Sequence, residues 1–86
     1  MKITGGRHEH YHVAIGSEFG LDKLGEELRH TFLPMSRTLK KLLIVEVNHV
    51  MFRLTYINDV CLLTKSIRES IEAYKEVDVK VYMETP

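Results

Sequence analysis

One stretch limits the folds open to this chain more than any other: Leu42–Ile57, LLIVEVNHVMFRLTYI, an apolar run broken at Asn48-His49. β-Branched and aromatic residues on either side of a two-residue polar break read as a β-hairpin. With Asn48-His49 as the loop, Val47 faces Val50, Val45 faces Phe52 and Leu43 faces Leu54. Side chains on a strand alternate with period two, so these six fall on one side. Ile44, Glu46, Met51, Arg53 and Thr55 fall on the other, with Glu46 diagonal to Arg53. A slip of one residue would turn the apolar set to water, so burial itself selects this register.

The remaining elements follow from periodicity. Met1–Gly6 reads as a flexible start around Gly5-Gly6. From Arg7 the chain alternates, with Tyr11, Val13 and Ile15 on one side and His8, His10, His12 and Ala14 on the other, until Gly16-Ser17 ends the strand. Leu21, Leu24, Leu28 and Phe32 then recur at helical spacing. Gly25 inside that helix points to a close backbone approach, and Pro34 is expected to stop it. Met35–Lys41 reads as a polar, basic connection into the hairpin.

After the hairpin, Asn58 or Asp59 is a natural N-cap for a second helix, whose apolar stripe is Val60, Leu63, Ile67, Ile71 and Tyr74. On its wet side Lys65/Glu69 and Arg68/Glu72 stand four apart. Val77, Val79, Val81 and Met83 alternate with Asp78, Lys80, Tyr82 and Glu84, as a last strand or a continuation of the helix. The order β-α-β-β-α-β predicts one α+β domain over residues 1–86. It would be a two-layer ferredoxin-like sandwich with both helices on one face of a four-stranded antiparallel sheet.

Composition excludes more than it assigns. Twelve basic and twelve acidic residues cancel, which leaves no domain-wide field for nucleic acid or anionic membrane. The single cysteine, Cys61, admits no internal disulfide and points to a reducing compartment. The chain shows no apolar leader after Met1-Lys2, and its longest apolar run, Leu42–Val45, is far too short to cross a bilayer. A cytoplasmic protein with no membrane partner is expected.

Three features touch on chemistry. His8, His10 and His12 would project from one strand face at spacings of about 7 Å, and two of them with a neighbouring carboxylate would suit Zn²⁺ or Ni²⁺. Three ligands on one straight strand cannot converge on a single ion without a bulge, and surface imidazoles are the competing explanation. A metal- or ligand-sensing domain is the alternative function this face supports. The open sheet face lacks the aromatics of an RNA-recognition sheet, so autonomous nucleic-acid binding is not expected. Arg7, Arg37, Lys40, Lys41 and Arg53 remain as phosphate contacts within a larger assembly. Catalysis finds no support: Cys61 lies near a helix start with no base placed beside it, and phosphate loops and nucleophile elbows are absent. No catalytic residue, cofactor or resident metal is assigned.

The borders of the sheet are more informative. Leu42–Val47 and Val77–Met83 carry few devices against edge pairing, and the outer face keeps Ile44, Met51 and Tyr82. Ile44, Glu46, Met51, Arg53 and Tyr82 are therefore the interface candidates for a sheet that pairs or stacks with another chain.

From Tyr11 to about Tyr74 the chain resembles the Pcc1 family, the small dimerising subunit of the KEOPS complex that makes threonylcarbamoyladenosine in tRNA. The resemblance is carried by the opening strand HYHVAI, a helix closing at Thr31-Phe32-Leu33-Pro34, and the basic connection with its hairpin. It continues in Phe52–Asp59 followed by Leu62-Leu63-Thr64-Lys65-Ser66-Ile67. Ile67-Arg68-Glu69-Ser70 departs from that family's more Ala/Arg/Asn-like helix, and a strand at Val77–Met83 differs from its running-on last helix. The resemblance implies a non-catalytic subunit that dimerises through its sheet, with itself or a paralogous subunit, and offers its helical layer to a catalytic partner.

Overall fold

The computed structural model describes residues 6–86, so most of the expected loose start at Met1–Gly6 lies outside the described residues. Gly6 is tied down: its carbonyl accepts the Thr85 N–H at 2.9 Å. The elements are β1 (Arg7–Ile15), α1 (Glu18–Glu27), a π-helical turn (Leu28–Phe32), α2 (Leu33–Leu39), β2 (Leu42–Val47), β3 (Val50–Leu54), α3 (Ile57–Glu72) and β4 (Val77–Glu84). The fold is α+β, with an open four-stranded antiparallel sheet.

The hairpin has the expected register, with Val47 opposite Val50, Val45 opposite Phe52 and Leu43 opposite Leu54. Asn48 and His49 both take left-handed backbone angles, φ 46° and 72°, the pattern of a two-residue turn that matches strand twist. Ser17 caps α1 by accepting the Gly20 N–H at 3.1 Å. Helical and sheet residues then share one core: Leu21, Leu24, Leu28, Phe32, Val60, Leu63 and Ile67 close over Ile15, Leu43, Val45, Leu54, Val77, Val79, Val81 and Met83. The Tyr11 and Phe32 rings, with centroids 5.7 Å apart, join β1 to the helical layer.

Several expectations are corrected. The strand order is β1-β4-β2-β3, so the stretches expected at the borders, Leu42–Val47 and Val77–Met83, are the two central strands. In β4, Val77, Val79, Val81 and Met83 are fully buried, and Asp78, Lys80, Tyr82 and Glu84 are half-buried on the other face. A strand with neighbours on both sides has this profile, and the borders are instead β1 and β3.

Pro34 does not end the first helix. It lies in the first turn of α2, where a missing N–H is tolerated, and the preceding turn is π-helical, with the Leu33 N–H bonded to the Leu28 carbonyl. The expected connection Met35–Lys41 is therefore helical to Leu39, with Ser36 buried and its hydroxyl donating to the Leu33 carbonyl at 2.8 Å. Gly25 marks no backbone approach, since a Cβ there would first meet the flexible end of Arg29 at 3.0 Å.

In α3 the cap is Tyr56, not Asn58 or Asp59. Asp59 stands three residues in, and its carboxylate reaches back to the N–H groups of Thr55 at 2.8 Å and Tyr56 at 2.9 Å. Tyr74 does not continue the apolar stripe. It lies beyond the helix end at φ 59° and is 99% exposed. Arg68 pairs with Glu18 of α1 at 2.8 Å, which joins two helices where an intrahelical pair with Glu72 was expected.

Candidate functional site

The histidine face does not form. Opposite β4, His8 aligns with Met83 and His12 with Lys80, and the register shifts between Glu9 and Tyr11, which leaves His10 as an extra residue. Met83 and Lys80 project from opposite faces of β4, so a β-bulge sends His8 and His12 to opposite sides of the sheet. His12 instead meets Asp78, Nε2 to Oδ1 at 2.7 Å. Among the described residues no three His, Cys, Asp or Glu side chains stand close enough to hold a metal ion. Cys61 is exposed on α3, with the Thr64 hydroxyl donating to its carbonyl at 3.1 Å.

The five interface candidates do share the open face, but unequally. Ile44 is buried between Arg53 and Tyr82 on its two neighbouring strands, and Glu46 lies between Met51 and Lys80. Tyr82 is half-covered, with the Arg7 guanidinium 5.6 Å from its ring centroid. Arg7 also donates to Glu84 at 2.8 Å, so the β1 half of this face is laced by its own side-chain pairs, Arg7–Glu84 and His12–Asp78. Met51 and Arg53, the exposed members, both belong to the border strand β3.

The two borders differ in kind. β1 begins with four exposed residues, Arg7, His8, Glu9 and His10, and contains the bulge, both devices that discourage edge pairing. β3 has no bulge against β2 and presents Val50, Met51 and Phe52 at 56%, 42% and 36% exposure. The helical layer stops short of it: Leu62 of α3 is 59% exposed and borders, with Phe52, a groove of about 300 Å³. Sequence reasoning placed the edge problem on the wrong strands, and the short, less protected β3 was the one it passed over.

A second feature lies where α2 runs into β2. A cleft of about 270 Å³ is lined by ten residues, four of them Arg37, Lys40, Lys41 and Arg53, and none acidic. Arg37 is fixed across it by donating to the Thr55 carbonyl at 3.2 Å. Lys40 ends α2 at φ 55°, with its own N–H on the Arg37 carbonyl and the Lys41 N–H on the Ser36 carbonyl. Four of the five basic residues singled out from sequence therefore converge, while Arg7 stands apart on Glu84. Tyr56, which joins them in the lining, had no signal in sequence beyond its place before the helix.

No helix among the described residues is long and apolar enough to cross a membrane. No protein-family model, curated protein or solved structure matches the chain.

Proposed function

We propose that the protein is a non-catalytic association subunit that pairs with a second copy of itself along β3. The observation that supports this reading is the contrast between the borders: β1 is bulged and charged, whereas β3 offers free backbone groups flanked by Val50, Met51 and Phe52. A two-fold axis beside β3 would extend the sheet across both chains and bring Phe52 and Leu62 of one copy against those of the other, an isologous contact. Among the interface candidates, Met51 and Arg53 then belong to the interface itself, while Ile44, Glu46 and Tyr82 form the sheet floor leading to it.

The Pcc1 resemblance extends the proposal to a place in a cytoplasmic, KEOPS-type tRNA-modifying assembly, with the helical layer left free for its partner. On this reading the chain is a ferredoxin-like variant, related through its βαββαβ order and departing in having β4 and β2 at the centre. Sedimentation velocity tests the pairing: the chain should run as a dimer at micromolar concentration, and the doubly substituted Met51→Lys/Phe52→Lys variant as a monomer. A folded wild-type chain that sediments as a monomer throughout that range counts against it.

A further inference from the structure

We infer that the cleft between the end of α2 and the end of β3 binds a nucleoside polyphosphate, with the phosphates on its four cations and the base against Tyr56. The chain as a whole is neutral, yet four of its twelve basic side chains line this one cleft and no carboxylate does. None of the four forms an ion pair among the described residues, although Arg7 and Arg68 elsewhere both do. The Asp59 carboxylate, three residues beyond Tyr56, is engaged by the Thr55 and Tyr56 amides.

Unneutralised cations held close together repel one another, and a multiply charged anion relieves that repulsion. Two guanidinium groups and two ammonium groups suit a di- or triphosphate, the guanidiniums through paired hydrogen bonds and the ammoniums as point charges. Arg37 is already oriented by its bond to the Thr55 carbonyl, so less freedom is lost on binding. Lys40 closes α2 in a left-handed position, with its side chain among those lining the cleft.

The ligand is more than an oxyanion because the cleft has an aromatic wall. Tyr56 is largely exposed and lines the same cleft, and its ring offers a face for a base. The cleft, of about 270 Å³, is small for a strand or a lipid surface, and would hold the phosphates with the base lying over Tyr56 at its rim.

The test is an amide-resolved NMR titration at low salt with ADP and ATP, set beside pyrophosphate, a short single-stranded oligonucleotide and phosphatidylserine vesicles. ADP and ATP are expected to shift the amides of Arg37–Leu43 and Arg53–Tyr56 at sub-millimolar to millimolar concentration. Lys40→Gly, which relaxes the backbone and so keeps the fold, should weaken ADP about fivefold or more. Tyr56→Ala should weaken ADP while leaving pyrophosphate unchanged, and Tyr56→Phe should restore it. Absence of shifts with ADP and ATP overturns the inference. So does pyrophosphate binding as tightly as ADP with no effect of Tyr56→Ala, or binding confined to the oligonucleotide or the vesicles.

Discussion

Asn48 and Asp78 are bonded to each other twice. The Asn48 N–H donates to the Asp78 carbonyl at 2.9 Å, and the Asn48 side-chain oxygen accepts the Asp78 N–H at 2.9 Å. The hairpin tip is thus fastened to the central strand β4 as well as to its own partner strand. Asparagine is suited to this place because it tolerates the left-handed angle and carries an acceptor.

Asn48→Ala should therefore destabilise the fold by about 1–3 kcal/mol, since it loses the bond to Asp78 and pays for a Cβ at positive φ. Asn48→Gly keeps the angle and loses only the bond, so its cost should be smaller. His49→Gly, at φ 72°, should stabilise by up to about 1 kcal/mol. Urea denaturation of the three variants checks the order, and equal costs for the two Asn48 variants would contradict the backbone part of the account.

Tyr74→Gly should raise stability by about 1 kcal/mol, because a 99% exposed ring at φ 59° contributes no packing to offset its backbone cost. Gly25→Ala should also stabilise, by up to about 1 kcal/mol, if Arg29 swings aside from the 3.0 Å contact. Thermal denaturation of each variant reads both effects. A loss at Tyr74 would mean that its ring packs on something beyond this chain.

Much of this was legible in the sequence. The hairpin register was readable because a slip would expose Val45 and Leu43, so only one pairing satisfies the hydrophobic pattern. The buried faces of β1 and β4 and the stripe Val60, Leu63, Ile67 were readable for the same reason. Strand order was not, because helices that bridge strands allow either β1 or β4 to lie inside. The near-continuous apolar run of β2 was the available clue to a central strand. The bulge at His10 left no composition signal, so a straight-strand argument put His8 and His12 together when pairing with β4 separates them. Pro34 misled because the π-helical turn before it changes which carbonyls are used. Basic residues at 37, 40, 41 and 53 were visible one by one, but their convergence depends on α2 ending beside β3.

Acid should weaken the start of α3. The Tyr56 and Thr55 amides, in that order, hold the Asp59 carboxyl below the usual value of 3.8. A lowered folded-state pKa gives stability that is present above the unfolded value and lost as pH falls through the folded one. Asp59→Asn should therefore be less stable than the wild type at neutral pH, with the gap closing below about pH 4. Chemical denaturation from pH 7 to pH 3 measures the gap, and a constant difference would contradict the linkage.

The split histidines predict that metal does little. Saturating Zn²⁺ should leave the melting temperature unchanged, because a ligand that binds only the native state would raise it. A rise that disappears in His8→Ala/His12→Ala would contradict the separation of His8 and His12 by the bulge.

Association along β3 is tested most directly by isotope-filtered NMR on a mixed sample of labelled and unlabelled chains. Close Hα–Hα contacts between Val50–Leu54 of one copy and the same stretch of the other are the predicted result. Intermolecular contacts confined to Arg7–Ile15, or none in a chain that stays monomeric at millimolar concentration, would contradict it.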